Sequence, residues 1–364
     1  MDGTALLFAG HQFDQPQAKT AHGLIRSGTR YRILAVLDEP YAAQGRDAGE
    51  VLDGQARNIP FVPSLQAFLD QFPQGADYLI LGVATAGGRI DPTWRPLVEE
   101  ALEASFSVVN GLHGFLSDDP SLRALAKANG AQLIDVRKPK PKAEQHFWTG
   151  RIDEITCPKI AVLGTDCAVG KRTTARLLME ACQAQGIPAE LIYTGQTGWM
   201  QGGRYGFVLD STLNDFVAGE LEHAMVSCWE AERPAVMFLE GQAALRNPSG
   251  PCGAEFLVSA QANGVILVHP PGRIYHKGWQ HRNRKLPTLL SEIALMRAFG
   301  TPVLGVALND TGLSQAEARE WQARYRHDLD LPVVLPLRDG VKELLAALPL
   351  GLGGKRPGTA SQQR

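Results

Sequence analysis

The sequence predicts an α/β protein of two domains, each built on a mainly parallel sheet. The chain of 364 residues is longer than one ordinary domain, and short apolar runs alternate with helical patterns along most of it. A basic, proline-rich segment, Arg137–Lys142, interrupts the alternation; the alternative is a long loop inside one domain. We therefore predict domains at residues 1–138 and 159–350, a linker at 139–158 and a disordered tail at 351–364.

The first domain alternates strands and helices through short connections, which indicates a parallel sheet with helices on both faces. Glycine-rich segments at 82–88 and 110–114 follow two strands, at the sheet edge where ligands bind. The turn after the first strand, residues 10–13, lacks the G-x-G-x-x-G pattern, so a nicotinamide cofactor is weakly supported. The predicted strands are Ala5–Ala9, Arg32–Leu37, Tyr78–Leu81, Ser107–Val109 and Gln132–Val136, and the helices are Gln17–Arg26, Ser64–Gln71, Thr93–Ala104 and Pro120–Asn129.

The second domain shows the same alternation. The connection from Glu240 to Pro287 holds only one predicted strand, and connections of that length are usually functional. The predicted strands are Lys159–Leu163, Ala189–Thr194, Ala235–Leu239, Val265–Val268, Pro302–Leu308 and Val333–Leu335, and the helices are Lys171–Gln185, Leu213–Glu232, Thr288–Phe299, Gln315–His327 and Val341–Leu348.

Composition argues against several classes of function. The net charge of −2 provides no basic excess for binding a nucleic acid. The five cysteines form no C-x-x-C pair and the nine histidines show no H-E-x-x-H spacing, so we predict reduced thiols and no metal site. The apolar run Ala5–Ala9 is too short to span a membrane, and no basic segment precedes it. We therefore predict a cytoplasmic protein that does not bind membranes.

The segment from Gly164 to Thr174 carries the strongest functional signal. It has the sequence G-T-D-C-A-V-G-K-R-T-T and lies between a predicted buried strand and a helix. Glycines let successive amides converge on one point, and the helix start adds unpaired N–H groups and partial positive charge. Lys171 can reach a phosphate oxygen. This pattern is typical of a phosphate-binding P-loop; the alternative is a plain turn with a surface lysine.

Two departures from the general P-loop pattern bear on its ligand. Five residues rather than four separate Gly164 from the Gly170-Lys171 pair, and Arg172 stands where a hydroxyl normally binds magnesium. The longer loop resembles that of the dethiobiotin synthetase group, which Arg172 does not match. An added arginine favours a diphosphate that is held and not cleaved, although Thr173 could reach a metal from its shifted place.

Other segments that follow strands of the second domain are predicted to contact the same ligand. Glu240 ends an apolar strand and could orient magnesium or water, or act as a general base. Residues 194–198, T-G-Q-T-G, would allow close approach of a ligand. Arg273 could pair with a carboxylate or a phosphate, and the rigid loop 247–253 could line a substrate pocket. The alternatives are a solvated carboxylate, a plain turn and a surface arginine.

Together these motifs resemble a family of two-domain P-loop proteins that long had no assigned function. The resemblance covers nearly the whole chain, roughly residues 5–348. Within the family, residues 246–253, R-N-P-S-G-P-C-G, look most like the D-glutamate N-acetyltransferase branch. The segments that carry the resemblance are Gly164–Thr174, Thr194–Gly198, Glu240–Gln242 and His269–Arg273.

The resemblance implies a Rossmann-like first domain, a P-loop second domain and a homodimer. It also implies transfer of an acetyl group from acetyl-CoA to the amine of D-glutamate, in the breakdown of D-amino acids. The residues predicted to bind the diphosphate of acetyl-CoA are Gly164, Thr165, Asp166, Cys167, Ala168, Val169, Gly170, Lys171, Arg172, Thr173 and Thr174. We assign catalysis to Glu240, Lys171 and Asp166, and substrate binding to Gly195, Gln196, Thr197, Arg273, Asn247 and Ser249.

Two other functions are compatible with the same residues. The likeness to dethiobiotin synthetase implies a ligase or kinase that depends on ATP and magnesium, in which Lys171, Thr173 and Glu240 handle the γ-phosphate and the metal. The other is a nucleotide-binding regulator without turnover. Release of thiol from acetyl-CoA, formation of ADP, or binding alone would distinguish the three.

Overall fold

The computed structural model describes residues 2–350 and confirms an α/β fold with two all-parallel sheets. Contacts between residues divide the chain into two units. The first comprises the chain up to Lys140 together with Gln196–Gly203, and the second comprises residues 141–195 and those from 204 onward. The predicted disordered tail lies outside the described residues. Between residues 2 and 350, no helix has both the length and the apolar character needed to cross a membrane.

The first unit is built on six parallel strands: β1 Gly3–Phe8, β2 Tyr31–Leu37, β3 Phe61–Val62, β4 Tyr78–Leu81, β5 Ser107–Asn110 and β6 Leu133–Asp135. Its helices are α1 Lys19–Ser27, α2 Glu39–Ala42, α3 Ala48–Asp53, α4 Leu65–Gln71, α5 Arg95–Glu103 and α6 Pro120–Ala128. The strands lie in the order β3-β2-β1-β4-β5-β6, which is that of the Rossmann fold. The five predicted strands are confirmed, whereas β3, α2 and α3 were not predicted.

The second unit is built on seven parallel strands: β7 Lys159–Gly164, β8 Ala189–Tyr193, β9 Tyr205–Gly206, β10 Val236–Glu240, β11 Gly264–His269, β12 Val303–Leu308 and β13 Val333–Val334. The chain from Lys159 onward forms the helices α7 Lys171–Ala184, α8 Gln196–Met200, α9 Asn214–Glu232, α10 Ala254–Leu257, α11 Leu289–Ala298, α12 Gln315–Leu329, α13 Pro336–Asp339 and α14 Lys342–Ala346. Of these, α8 groups with the first unit. The strand order is β13-β12-β11-β7-β10-β8-β9.

The central position of β7 explains its sequence and places the loop that follows it. Every residue of β7 is buried, because α-helices cover both faces of the sheet. Its side chains alternate between two cores: Ala161 and Leu163 belong to one, and Ile160 and Val162 to the other. β11 and β10 flank β7, so the loops that leave these three strands start side by side at one edge of the sheet.

The segment predicted as a linker, 139–158, is mostly packed onto the second unit. The buried carboxylate of Glu222, on α9, accepts hydrogen bonds from the amide and hydroxyl of Thr149 at 2.6 and 2.8 Å. It also accepts one from the Ile152 amide at 3.2 Å, and the Ile152 side chain is fully buried. The two units divide between Lys140 and Pro141, so most of this segment belongs to the second unit.

Candidate functional site

The phosphate-loop sequence connects the end of β7 to the start of α7. Gly170 precedes the helix with a φ of 100°, which glycine adopts without a steric penalty. A Cβ atom on Gly164 would lie 2.7 Å from Val169 Cγ2, so the loop folds tightly back on the strand. Within the described chain, no side chain caps the first turn of α7. The unpaired amides of that turn are therefore available to bind an anion.

Lys171 places a buried ammonium group inside the loop. Its Nζ donates hydrogen bonds to the carbonyl oxygens of Asp166 and Ala243, at 2.8 and 2.7 Å. Among residues 2–350, no carboxylate lies within ion-pair distance of this nitrogen. Burial lowers the pKa of Lys171. A buried cation with only neutral partners carries an uncompensated charge, which an anionic ligand would offset.

Arg172 and Glu240 form an ion pair beside the loop. Arg172 NH1 lies 3.6 Å from Glu240 Oε1, and the amide of Thr194 donates to Glu240 Oε2 at 3.3 Å. Burial raises the pKa of Glu240, and the nearby guanidinium of Arg172 opposes the shift. In nucleotide-cleaving P-loop proteins, the corresponding positions carry a hydroxyl and an acid that serve magnesium. Here those two positions hold a cation and an anion that pair with each other.

Asp166, fully buried, anchors the loop. Its carboxylate accepts hydrogen bonds from Asn247 Nδ2 at 3.0 Å, Arg273 NH1 at 2.8 Å and the Lys277 amide at 2.8 Å, and His276 Nδ1 lies 3.2 Å away. Burial alone would raise the pKa of Asp166, but these hydrogen bonds, led by that of the Lys277 amide, outweigh it and lower the pKa. The contacts favour a role in shaping the loop, and the predicted catalytic role of Asp166 stays a prediction.

Arg273, predicted to bind the substrate carboxylate, also contacts the loop in this structure. Besides Asp166, NH1 donates to the carbonyl of Cys167 at 2.8 Å, and NH2 donates to the carbonyl of Ala168 at 3.3 Å. Its side chain is 27% exposed. These contacts hold the backbone of the loop, and binding of a substrate carboxylate stays a prediction.

The other residues predicted to bind substrate have partners in different places. Exposed Ser249 donates from its amide and hydroxyl to Asn247 Oδ1, at 3.0 and 2.7 Å, and so orients the side chain that contacts Asp166. Gly195 follows β8, and a Cβ atom there would lie 2.9 Å from Gln242 Nε2. The side-chain amide of Gln242 therefore lies where a side chain at this position would be.

Gln196 and Thr197 begin α8, in a segment that was not predicted to be helical. Gln196 Oε1 accepts a hydrogen bond from Arg137 NH2 at 2.8 Å, and the Thr197 hydroxyl lies 3.2 Å from that of Thr20. These partners belong to the first unit, as α8 itself does. Their predicted role in substrate binding is not tested by these contacts.

Three further side chains, for which the sequence predicted no role, support the loop directly or through one another. Asn309, directly after β12, donates from Nδ2 to the carbonyl of Val169 at 2.9 Å. His269 Nδ1 lies 2.9 Å from the Thr165 hydroxyl, and its Nε2 lies 3.3 Å from the Tyr325 hydroxyl. Burial, with a smaller effect of Arg273, lowers the pKa of His269 to about 4, so its ring is neutral at pH 7. Because Asn309 directly follows a predicted strand, its position could have indicated a residue near the loop.

Two family models match this combination of domains. Residues 41–139 match the DUF1611_N model, a Rossmann-like domain of unknown function, and residues 146–345 match the DUF1611_C model, a P-loop domain of unknown function. The chain belongs to the DUF1611 family. The family predicted from the motifs is therefore confirmed, as are its Rossmann-like and P-loop domains.

Named relatives of this DUF1611 protein include two curated proteins called D-glutamate N-acetyltransferase. The one from Pseudoalteromonas sp is 30% identical over 281 residues, which are 75% of this chain and 82% of the relative. The one from Tritonibacter scottomollicae is 33% identical over 288 residues, 75% of this chain and 81% of the relative. A crystal structure of a DUF1611 family protein from Anabaena variabilis ATCC 29413 is 29% identical, with a TM-score of 0.85 over 95% of this chain and 98% of that one.

Proposed function

We propose that this protein is an N-acetyltransferase that moves the acetyl group of acetyl-CoA to the amine of D-glutamate. The observation that carries the proposal is the uncompensated positive charge of the loop, where buried Lys171 bonds only to carbonyl oxygens. CoA offers a diphosphate to such a loop. The names of the two relatives support acetyl transfer as the reaction.

The residues around the loop fit a diphosphate that is bound and not cleaved. Arg172 replaces the hydroxyl that normally binds magnesium, and it pairs with Glu240 at 3.6 Å. A guanidinium presents planar donors that match phosphate oxygens. This pairing favours the transferase over a ligase or kinase that depends on ATP and magnesium.

Acetyl transfer to D-glutamate requires an unprotonated nitrogen. The ammonium gives one proton to a base, and the nitrogen then forms a bond to the thioester carbon of acetyl-CoA. The carbon–sulfur bond breaks, and the second proton released as the amide forms neutralises the departing thiolate. Donors directed at the carbonyl oxygen stabilise the negative charge that develops there. The products are N-acetyl-D-glutamate and CoA.

The position of Glu240 bears on which residue is the base. Burial raises its pKa, and a higher pKa makes a carboxylate a stronger base. However, its ion pair with Arg172 keeps it beside the loop, whereas the thioester lies at the far end of the pantetheine arm from the diphosphate. We therefore propose that Glu240 holds Arg172 in place, and its role as the base stays a prediction.

The proposed reaction is tested with the purified full-length protein, acetyl-CoA and D-glutamate. We expect thiol release, followed with a chromogenic reagent, that requires both substrates, and N-acetyl-D-glutamate identified by mass spectrometry. L-Glutamate and other amino acids form parallel arms. Absence of thiol release with every amino acid would contradict the transferase. ADP formation from ATP with magnesium would instead support a ligase or kinase, and nucleotide binding without turnover would support a regulator.

A further inference from the structure

A second arginine on α7, Arg176, has an incomplete set of partners. Its side chain is 15% exposed, and NH2 lies 3.3 Å from Glu180 Oε1. The side chain of Glu180 is 46% exposed, so this is a surface ion pair of small energetic value. Arg176 Nε is buried and has no hydrogen-bond partner among the described residues. A buried N–H group without an acceptor is costly, and a ligand could supply the acceptor.

The charges near Arg176 also favour an anionic ligand. Arg172 and Arg176 are four residues apart on α7, a spacing at which like charges on a helix repel each other. Burial lowers the pKa of Arg172, the carboxylate of Glu240 opposes the shift, and Arg176 adds to it. Buried Glu240 pairs with Arg172, and buried Asp166 pairs with Arg273. Neither of these ion pairs includes Arg176.

Arg176 is placed for an anionic group separate from the diphosphate. A helix rises about 1.5 Å per residue, so Arg176 lies about 7.5 Å beyond Lys171 along α7. A diphosphate at the helix start would use Lys171, Arg172 and the first-turn amides. In CoA, the ribose that carries the diphosphate on its 5′ oxygen also carries a phosphate on its 3′ oxygen. The third phosphate is therefore one sugar away from the other two.

We propose that Arg176 binds the 3′-phosphate of CoA, so that the site selects CoA over dephospho-CoA and ADP. This inference rests on the proposed function, because it concerns the same acetyl-CoA. The guanidinium donates from Nε and a terminal nitrogen to two phosphate oxygens, the paired geometry that arginine forms with phosphates. Binding also gives the buried Nε an acceptor.

The inference is tested by calorimetric titration of CoA, dephospho-CoA and ADP into the wild type and three variants. Wild type should bind CoA about ten- to hundredfold more tightly than dephospho-CoA, the range expected for hydrogen bonds to a charged group. Arg176→Gln should bind the two with equal affinity. Arg176→Lys should retain part of the preference. Glu180→Gln removes the same ion pair but leaves Arg176 in place, so it should keep the full preference for CoA over dephospho-CoA.

Each contrary result has a definite meaning. Equal affinities of the wild type for CoA and dephospho-CoA would overturn the inference and leave acetyl transfer intact. Loss of the preference in Glu180→Gln would assign the effect to the ion pair, and so would overturn it as well. A raised KM for D-glutamate in Arg176→Gln, with the preference for CoA unchanged, would place a substrate carboxylate on Arg176 instead. Failure of the wild type to bind any of the CoA compounds would overturn the proposed function along with the inference.

Discussion

At the scale of single residues, Arg172 distinguishes this loop from loops that cleave nucleotides. It follows the P-loop lysine directly and lies 3.6 Å from Glu240, the acid at the end of β10. Both positions normally serve a magnesium ion. In the proposed complex with CoA, Arg172 would supply a positive charge to the phosphates, and Glu240 would partly offset that charge. The net charge that the ligand meets therefore depends on the protonation of Glu240.

The substitution Glu240→Gln separates the two roles considered for this residue. Glutamine keeps an oxygen that can accept a hydrogen bond from Arg172 but removes the negative charge beside the phosphates. CoA binding should therefore strengthen about two- to tenfold, while the kcat pH profile keeps its acidic limb. In the wild type, the affinity for dephospho-CoA, which lacks the titrating 3′-phosphate, should rise as pH falls through the raised pKa of Glu240, because protonation also removes the charge. Calorimetry with dephospho-CoA across pH measures this, and the variant should lose that rise. A loss of kcat of about a hundredfold or more, with loss of the acidic limb, would identify Glu240 as the base.

At the scale of elements, the loop is shaped by segments that leave different strands. Asn247 lies beyond β10, whereas Arg273, His276 and Lys277 lie beyond β11, and all four lie within hydrogen-bond distance of the Asp166 carboxylate. In parallel sheets the carboxyl ends of neighbouring strands lie at one edge, so these segments can meet. The Asp166 carboxylate thus joins the loop to the segments that follow β10 and β11.

The variant Asp166→Asn should destabilise the protein by about 2–4 kcal/mol, because an amide nitrogen would face donors in place of an acceptor oxygen. The pKa of Asp166 is lowered in the folded protein. The ionised carboxylate therefore contributes its full stabilisation above the pKa of the unfolded chain, and this stabilisation is lost as pH falls through the pKa of the folded protein. The difference between wild type and variant should therefore be largest at neutral pH and shrink below about pH 4. Urea unfolding at both pH values measures it, with exposed Asp328→Asn as the control. An unchanged stability at pH 7 would refute the anchoring role.

Elements with a clear period were predictable from the sequence, and several very short ones were not, although the two-residue β13 was. β7 was predictable because a continuous apolar run precedes the glycine loop. β3 and β9 have two residues each, too few to show a period. α8 has five residues, and its fold depends on distant contacts: Arg30 Nε donates to the Trp199 carbonyl at 2.9 Å, and its guanidinium lies 4.3 Å from the Trp199 ring centroid. A local pattern of glycines does not encode those contacts.

At the scale of the whole molecule, the order of strands determines which parts of a site are predictable. Lys171, Glu240 and Arg273 were predictable because each lies at or beyond the end of a strand, and parallel strands end at a common edge. Their partners were harder to find. His276 and Lys277 lie in a long connection without a period, and only the folded chain shows that they contact Asp166. The ion pair of Arg172 with Glu240 joins residues 68 positions apart, a distance that one sequence does not reveal.

Titration of CoA into the full-length protein, with EDTA and then with magnesium, tests most directly whether the loop holds the CoA diphosphate without a metal. We expect equal affinity in the two conditions, because Arg172 and Glu240 occupy the positions that serve a metal elsewhere. Lys171→Ala should weaken binding by about tenfold or more, since it removes a charged donor to the phosphates. Binding that requires magnesium, or an unchanged affinity in Lys171→Ala, would contradict this role of the loop.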